Sequence, residues 1–134
     1  MWYYGHMKQG QLKANGVHLQ DHEFHTVQTL LANGYDVELI PPTQTKGQRS
    51  PDIFIRGTSW ELKSPTGGGR NTMKHTTQDA GHQSRNVIID LWRCKLPENQ
   101  AIRELRALFG ASKRIKRLLV ITEDGQIHDL TTAK

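Results

Sequence analysis

At 134 residues the chain has the size of one domain with a modest hydrophobic core. Eighteen Lys and Arg against thirteen Asp and Glu leave a net charge of +5, which favours a polyanionic partner. No apolar run reaches membrane-spanning length, residues 1–7 lack the regions of a signal peptide, and a single cysteine, Cys94, excludes a disulfide framework or a thiolate metal cluster.

Residues 1–20 read as a polar N-terminal extension with a turn at Asn15-Gly16, leaving 21–134 as one domain. Trp2, Tyr3 and Tyr4 pad the core's edge, pair as a strand or stack on a nucleobase; padding is the default. From Asp21 to Asn33 the spacing predicts a helix with an apolar stripe of Phe24, Val27, Leu30 and Leu31, stopped at Gly34. Glu23 falls in its first turns, where an acidic residue suits the helix dipole without any further role. Tyr35 to Ile40 reads as a strand closed by Pro41-Pro42. The loop Thr43 to Arg49, with Lys46 and Arg49, is polar and basic, fit for the rim of a nucleic-acid site.

Two alternating runs, Ser50 to Ile55 and Thr58 to Lys63, predict a hairpin turning at Arg56-Gly57. That turn sets Ile53 opposite Trp60 and Asp52 opposite Glu61, with Ile53, Ile55, Trp60 and Leu62 on one apolar face. A slip of one residue would mix the two faces, which a buried sheet resists. Two opposed carboxylates repel by about 4 kcal/mol at 4 Å and an effective dielectric near 20, an upper bound for side chains that can splay. A divalent, oxygen-seeking cation such as Mg²⁺ resolves the conflict, and Lys63 then points at the water or phosphate held there. The plainer alternative is a surface hairpin whose ion pair is worth at most about 1 kcal/mol.

The run Ser64-Pro65-Thr66-Gly67-Gly68-Gly69-Arg70 reads as a loop, flexible or able to bring backbone N–H groups to a phosphate. A second helix is expected from Asn71 to about Arg85, carrying Lys74, His75, His82 and Gln83 toward the cleft. Zn²⁺ at His75 and His82 is the lesser option, because further nitrogen or sulfur ligands are missing. Asn86 to Trp92 reads as a strand buried on both faces beside a parallel neighbour. Pro97 opens a third helix with Ala101, Ile102, Leu105, Leu108 and Phe109 as its core stripe. Lys113, Arg114, Lys116 and Arg117 form a solvated face or a phosphate contact. Leu118–Thr122 and Gln126–Leu130 form a C-terminal hairpin turning at Asp124-Gly125.

Pro51-Asp52, eight residues, then Glu61-Leu62-Lys63 resembles the core of the PD-(D/E)XK nuclease superfamily. The longer run from Trp60 to Gly67, with Gln83-Ser84 and Val87 to Leu91, resembles the C-terminal tRNase domains of bacterial contact-dependent growth inhibition toxins. The resemblance implies an α/β, restriction-endonuclease-like αβββαβ core: a mixed central sheet flanked by helices, plus a C-terminal helix and β-hairpin. The same order follows from the periodicities alone. It also implies a metal-dependent nuclease in which Asp52 and Glu61 bind Mg²⁺ or Mn²⁺, Glu23 completes the ion site, Lys63 activates and Gln83 assists. Nucleic acid, with tRNA favoured, is the implied substrate, bound through Lys46, Arg49, Arg70, Lys74, Lys113, Arg114 and Lys116. A cognate immunity protein is the implied partner, and the bacterial cytoplasm, of a target cell after delivery, the place of action.

Three other readings stand beside it. One is a metal-independent ribonuclease of the barnase/EndoU/colicin/RelE kind, with His22 or His25 and Lys63, Thr66 or Ser84 doing acid–base work. The others are a mobile-element DNA endonuclease and a non-catalytic basic nucleic-acid-binding domain.

Overall fold

The computed structural model describes residues 9–42 and 50–131, so Trp2, Tyr3, Tyr4, Lys46 and Arg49 lie outside the described residues. In chain order the elements are β1 (Leu12–Lys13), α1 (Asp21–Ala32), β2 (Val37–Leu39), β3 (Ile53–Ile55), β4 (Thr58–Lys63), α2 (Thr72–Gly81), β5 (Asn86–Asp90), α3 (Glu98–Ala111), β6 (Arg117–Ile121) and β7 (Ile127–Asp129). The expected order of helix, three strands, helix and strand is present from α1 to β5, followed by the expected helix and hairpin. All strands join one mixed sheet in sequence order. β2, β3 and β4 run antiparallel, β4, β5 and β6 run parallel, and β7 returns antiparallel on β6.

The hairpin adopts the predicted register, with Ile53 facing Trp60 and Ile55 facing Thr58. Its turn uses positive φ at both Arg56 (51°) and Gly57 (78°), the twist that two-residue hairpins require. The parallel crossovers from β4 through α2 to β5, and from β5 through α3 to β6, step the same way along the sheet. Crossovers of one hand then put both helices on one face. There Met73 and Ala80 of α2 and Ala101, Leu105 and Phe109 of α3 pack on Val87, Ile89, Leu118 and Val120. On the other face Val27 and Leu30 of α1 pack on Ile53, Trp60, Ile88 and Leu119.

Several boundaries depart from expectation, each for a local reason. Phe24, assigned to the apolar stripe of α1, is exposed: Val27 and Leu30 are buried against the sheet and Leu31 is packed beside them, while Phe24 lies outside that contact. α2 ends at Gly81 rather than Arg85: Gln83 and Ser84 both donate their N–H to Ala80 O, and Ser84 Oγ accepts the N–H of Asn86. β5 stops at Asp90 rather than Trp92, since the Asp90 carboxylate accepts the Trp92 N–H and turns the chain. Leu12–Lys13, within the stretch read as an extension, pair in parallel with Val37 and Glu38 at the sheet edge. The glycine run is tied down rather than loose. A Cβ on Gly67 would meet Thr72 Oγ1 at 2.7 Å and one on Gly68 would meet Lys95 Cβ at 2.9 Å, while the Gly69 N–H is taken by Thr72 Oγ1.

Phe109 is fully buried between α3 and the sheet. Phe109→Ala is expected to cost about 3–5 kcal/mol through lost burial and the cavity left behind, read from the urea midpoint.

Candidate active site

Strand β4 alternates, so Trp60 and Leu62 turn toward α1 while Glu61 and Lys63 turn toward α2. Glu61 stands opposite Val87 and Lys63 opposite Ile89 in the parallel ladder. At the carboxyl ends of β4 and β5 the sheet opens into a cleft of about 570 Å³, where open α/β sheets commonly hold ligands. His22, Glu23 and Thr26 of α1 line one wall, His75, Thr76, Asp79 and Gln83 another, with Asp52, Glu61, Lys63 and Arg93 between them. Residues forty and more positions apart thus share one opening.

The electrostatics of the cleft centre on two carboxyls. Glu61 is only 3 % exposed, and its Oε1 is buried without a hydrogen-bond partner. Burial, and then the neighbouring Asp52 carboxylate, push the Glu61 pKa from an ordinary 4.5 to about 8. Asp52 is raised too, chiefly by burial, though the Leu62 N–H donated to its Oδ2 at 2.8 Å works against this. The interaction between the two side chains acts in opposite directions, lowering the Asp52 pKa and raising that of Glu61. The orphaned Glu61 oxygen and the adjoining Asp52 carboxyl are oxygen donors of the type that could hold a hard divalent cation.

Lys63 lies between two carboxyl groups: its Nζ is 3.5 Å from Glu61 Oε2 and donates to Asp79 Oδ2 at 2.5 Å. Glu23 reaches the cleft from the first turn of α1 and its charge acts on Asp52, but its Oε1 accepts the Gln20 N–H at 3.0 Å in a helix cap. Among the described residues no three His, Cys, Asp or Glu gather closely enough to hold a metal by themselves. Asp52 and Glu61 are therefore the close pair, and Glu23 stands apart from it.

Two charged cleft residues, Asp79 and Arg93, escaped the sequence reading. For Asp79 a signal exists: His75, Asp79 and Gln83 recur every four positions, a spacing that puts His75 and Asp79 on one face of α2. Arg93 gave no signal: it follows the end of β5, and only the fold brings its Nε to Ser64 O and Oγ, both at 2.9 Å. The other expected residues fall elsewhere. Lys74, His82, Lys113 and Arg114 line a second groove of about 600 Å³ behind α2, where Arg114 Nη1 lies 2.8 Å from His82 Nδ1. His75 and His82 thus serve different openings, which removes them as joint zinc ligands. Arg70 and Lys116 are exposed. Of the alternative acid–base set, His22 and Lys63 line the cleft, whereas Thr66 is exposed and Ser84 caps a turn.

No helix among the described residues is long and apolar enough to cross a membrane. No curated protein matches the chain. Among solved structures it is similar to a CdiA-CT/CdiI toxin and immunity complex from Burkholderia pseudomallei. That likeness has a TM-score of 0.67 and 19 % identity, and covers 90 % of this chain and 98 % of the other, a similarity of fold. The model of the contact-dependent growth inhibition CdiA C-terminal domain matches residues 49–127, a stretch that contains Asp52, Glu61, Lys63, Asp79 and Arg93 and begins after Glu23. With more than half of its length matched, the chain belongs to the CdiA C-terminal domain family, the toxin domains of contact-dependent growth inhibition.

Proposed function

We propose that this toxin domain is a metal-dependent nuclease that hydrolyses phosphodiester bonds, with tRNA the favoured substrate. The observation that carries the reading is the meeting of Asp52, Glu61 and Lys63 in one open cleft, with a buried Glu61 oxygen left unpaired. Asp52 and Glu61 would hold Mg²⁺ or Mn²⁺, with Glu23 at the outer edge. Held there, the ion would supply Lewis-acid stabilisation of charge on the phosphoryl oxygens and a lowered pKa for the attacking water.

The remaining work falls to the chain. Lys63, braced by Glu61 and Asp79, keeps an ammonium where negative charge builds on the phosphoryl oxygens. Asp79 fixes the direction of that ammonium. Arg93, its Nε spent on Ser64, presents a guanidinium of fixed plane to a phosphate in the cleft. His75 and Gln83 line the same wall, in reach of the sugar or leaving group. The groove with Lys74, Lys113 and Arg114 takes the flanking backbone by charge alone, so binding weakens as salt rises. The catalytic pair and the element order fit the restriction-endonuclease-like class. A cognate immunity protein would cover the cleft with acidic groups, and the domain would act in the cytoplasm of the target cell.

The test is incubation of total tRNA and supercoiled plasmid, side by side, with Mg²⁺ and with EDTA. Mg²⁺-dependent loss of tRNA is the expected result. Cleavage that survives EDTA would shift the chemistry to His22 and Lys63 as acid and base, plasmid cutting would mark a DNA enzyme, and intact substrates in every lane would leave only binding.

A further inference from the structure

The Trp92 indole stacks on the His25 imidazole, with ring centroids 4.2 Å apart and planes 18° from parallel. Both remain open to solvent: Trp92 is 37 % exposed, and the His25 side chain 39 %. Asp90, fully buried, organises the pair. Its Oδ1 accepts the Trp92 N–H at 3.1 Å, and its Oδ2 accepts the Thr26 hydroxyl at 2.8 Å and lies 3.3 Å from His25 Nδ1. One buried carboxylate therefore ties the His25 ring on α1 to the Trp92 backbone just past β5. The chain neighbours of the two rings, Thr26 and Arg93, line the cleft, so the stack stands at its rim.

We propose that His25 and Trp92 form a stacking platform for an unpaired nucleobase next to the bond held in the cleft, with Asp90 as the residue that positions both rings. The proposal rests on the phosphodiester reading. Three features favour a base over other occupants. The rings are already held in place before any ligand arrives, a flat aromatic face suits every base regardless of sequence, and the chain carries a net charge of +5. Single-stranded loops, whose bases can be splayed out, are also the parts of RNA that proteins usually read.

The test measures binding of a short single-stranded RNA, and of the same strand with abasic sites, in a Lys63→Ala background, where cleavage is slowed, with the strand's integrity checked on a gel after each titration. Trp92→Ala should weaken binding to the intact strand about 5- to 150-fold while Trp92→Phe keeps most of it. The salt dependence should be unchanged, because no phosphate contact is lost. On the abasic strand Trp92→Ala should bind as the parent does. Thermal melts of both variants separate lost binding from lost folding. Equal binding of the intact strand by parent and Trp92→Ala, or an equal loss on the abasic strand, would overturn the platform and leave the cleft reading standing. A parent that binds neither strand would remove that reading and the platform together.

Discussion

Lys63→Ala should lower cleavage of tRNA by about 10²–10³-fold, the usual cost of removing one group placed to meet charge in a transition state. The variant leaves Glu61 and Asp79 without their shared ammonium. Because Lys63 lowers the Glu61 pKa, its loss should hold Glu61 protonated to still higher pH, weakening the site's claim on a cation as well. Lys63→Arg should not restore activity, since a planar guanidinium cannot take the place of a compact ammonium between two carboxylates. Asp79→Asn should give a smaller loss, because it frees the direction of the ammonium without removing its charge. The measurement is single-turnover cleavage at saturating Mg²⁺. Equal rates for wild type and Lys63→Ala would remove Lys63 from the chemistry.

Glu61→Gln should abolish cleavage yet make the protein more stable, and the gain should grow with pH. Burial and the Asp52 carboxylate push Glu61 up from an ordinary 4.5 to about 8 in the folded protein, so the folded state holds a proton across that interval that the unfolded state has lost. The stability this proton provides is complete below about 4.5 and is lost as pH rises through about 8. Removing the ionisable group removes the loss, worth on the order of a few kcal/mol at the alkaline end. Divalent cation should do for wild type what the substitution does for the variant. Mg²⁺ at about 100 times its dissociation constant adds about 2.7 kcal/mol, read as a rise in Tm that Glu61→Gln lacks. Melting curves at pH 6 and pH 8.5, with Mg²⁺ and with EDTA, measure both effects. A wild-type Tm unmoved by Mg²⁺ or Mn²⁺ at pH 8.5 would sink the metal assignment.

The hairpin is legible in the sequence because its signal is local. Alternation over Ser50 to Lys63, with one glycine in the turn, allows a single register that keeps both faces consistent, and Ile53 does face Trp60. The third helix was legible for the same kind of reason: Ala101, Leu105 and Phe109 recur at the helical period and are all fully buried. Phe24 fits the α1 stripe by spacing alone and yet is exposed, because periodicity names a face and not how far the sheet beneath it extends. The glycine run misled in the other direction. Its composition signals a loose loop, and only packing shows Gly67 and Gly68 pressed against Thr72 and Lys95.

What the sequence by itself determined is the strand pair and, with it, the opposition of Asp52 and Glu61 and the side on which Lys63 lies, since all three follow from a period of two and a turn of two residues. What only the tertiary structure decided is the company they keep. Asp79 reaches Lys63 through the packing of α2 on the sheet, Arg93 is held at Ser64 from beyond β5, and Lys74 and Arg114 are set behind α2 rather than beside the carboxylates. The physical reason is range: alternation and turn chemistry act over a few residues, whereas burial of the faces of α1, α2 and α3 fixes contacts between segments that share no local pattern.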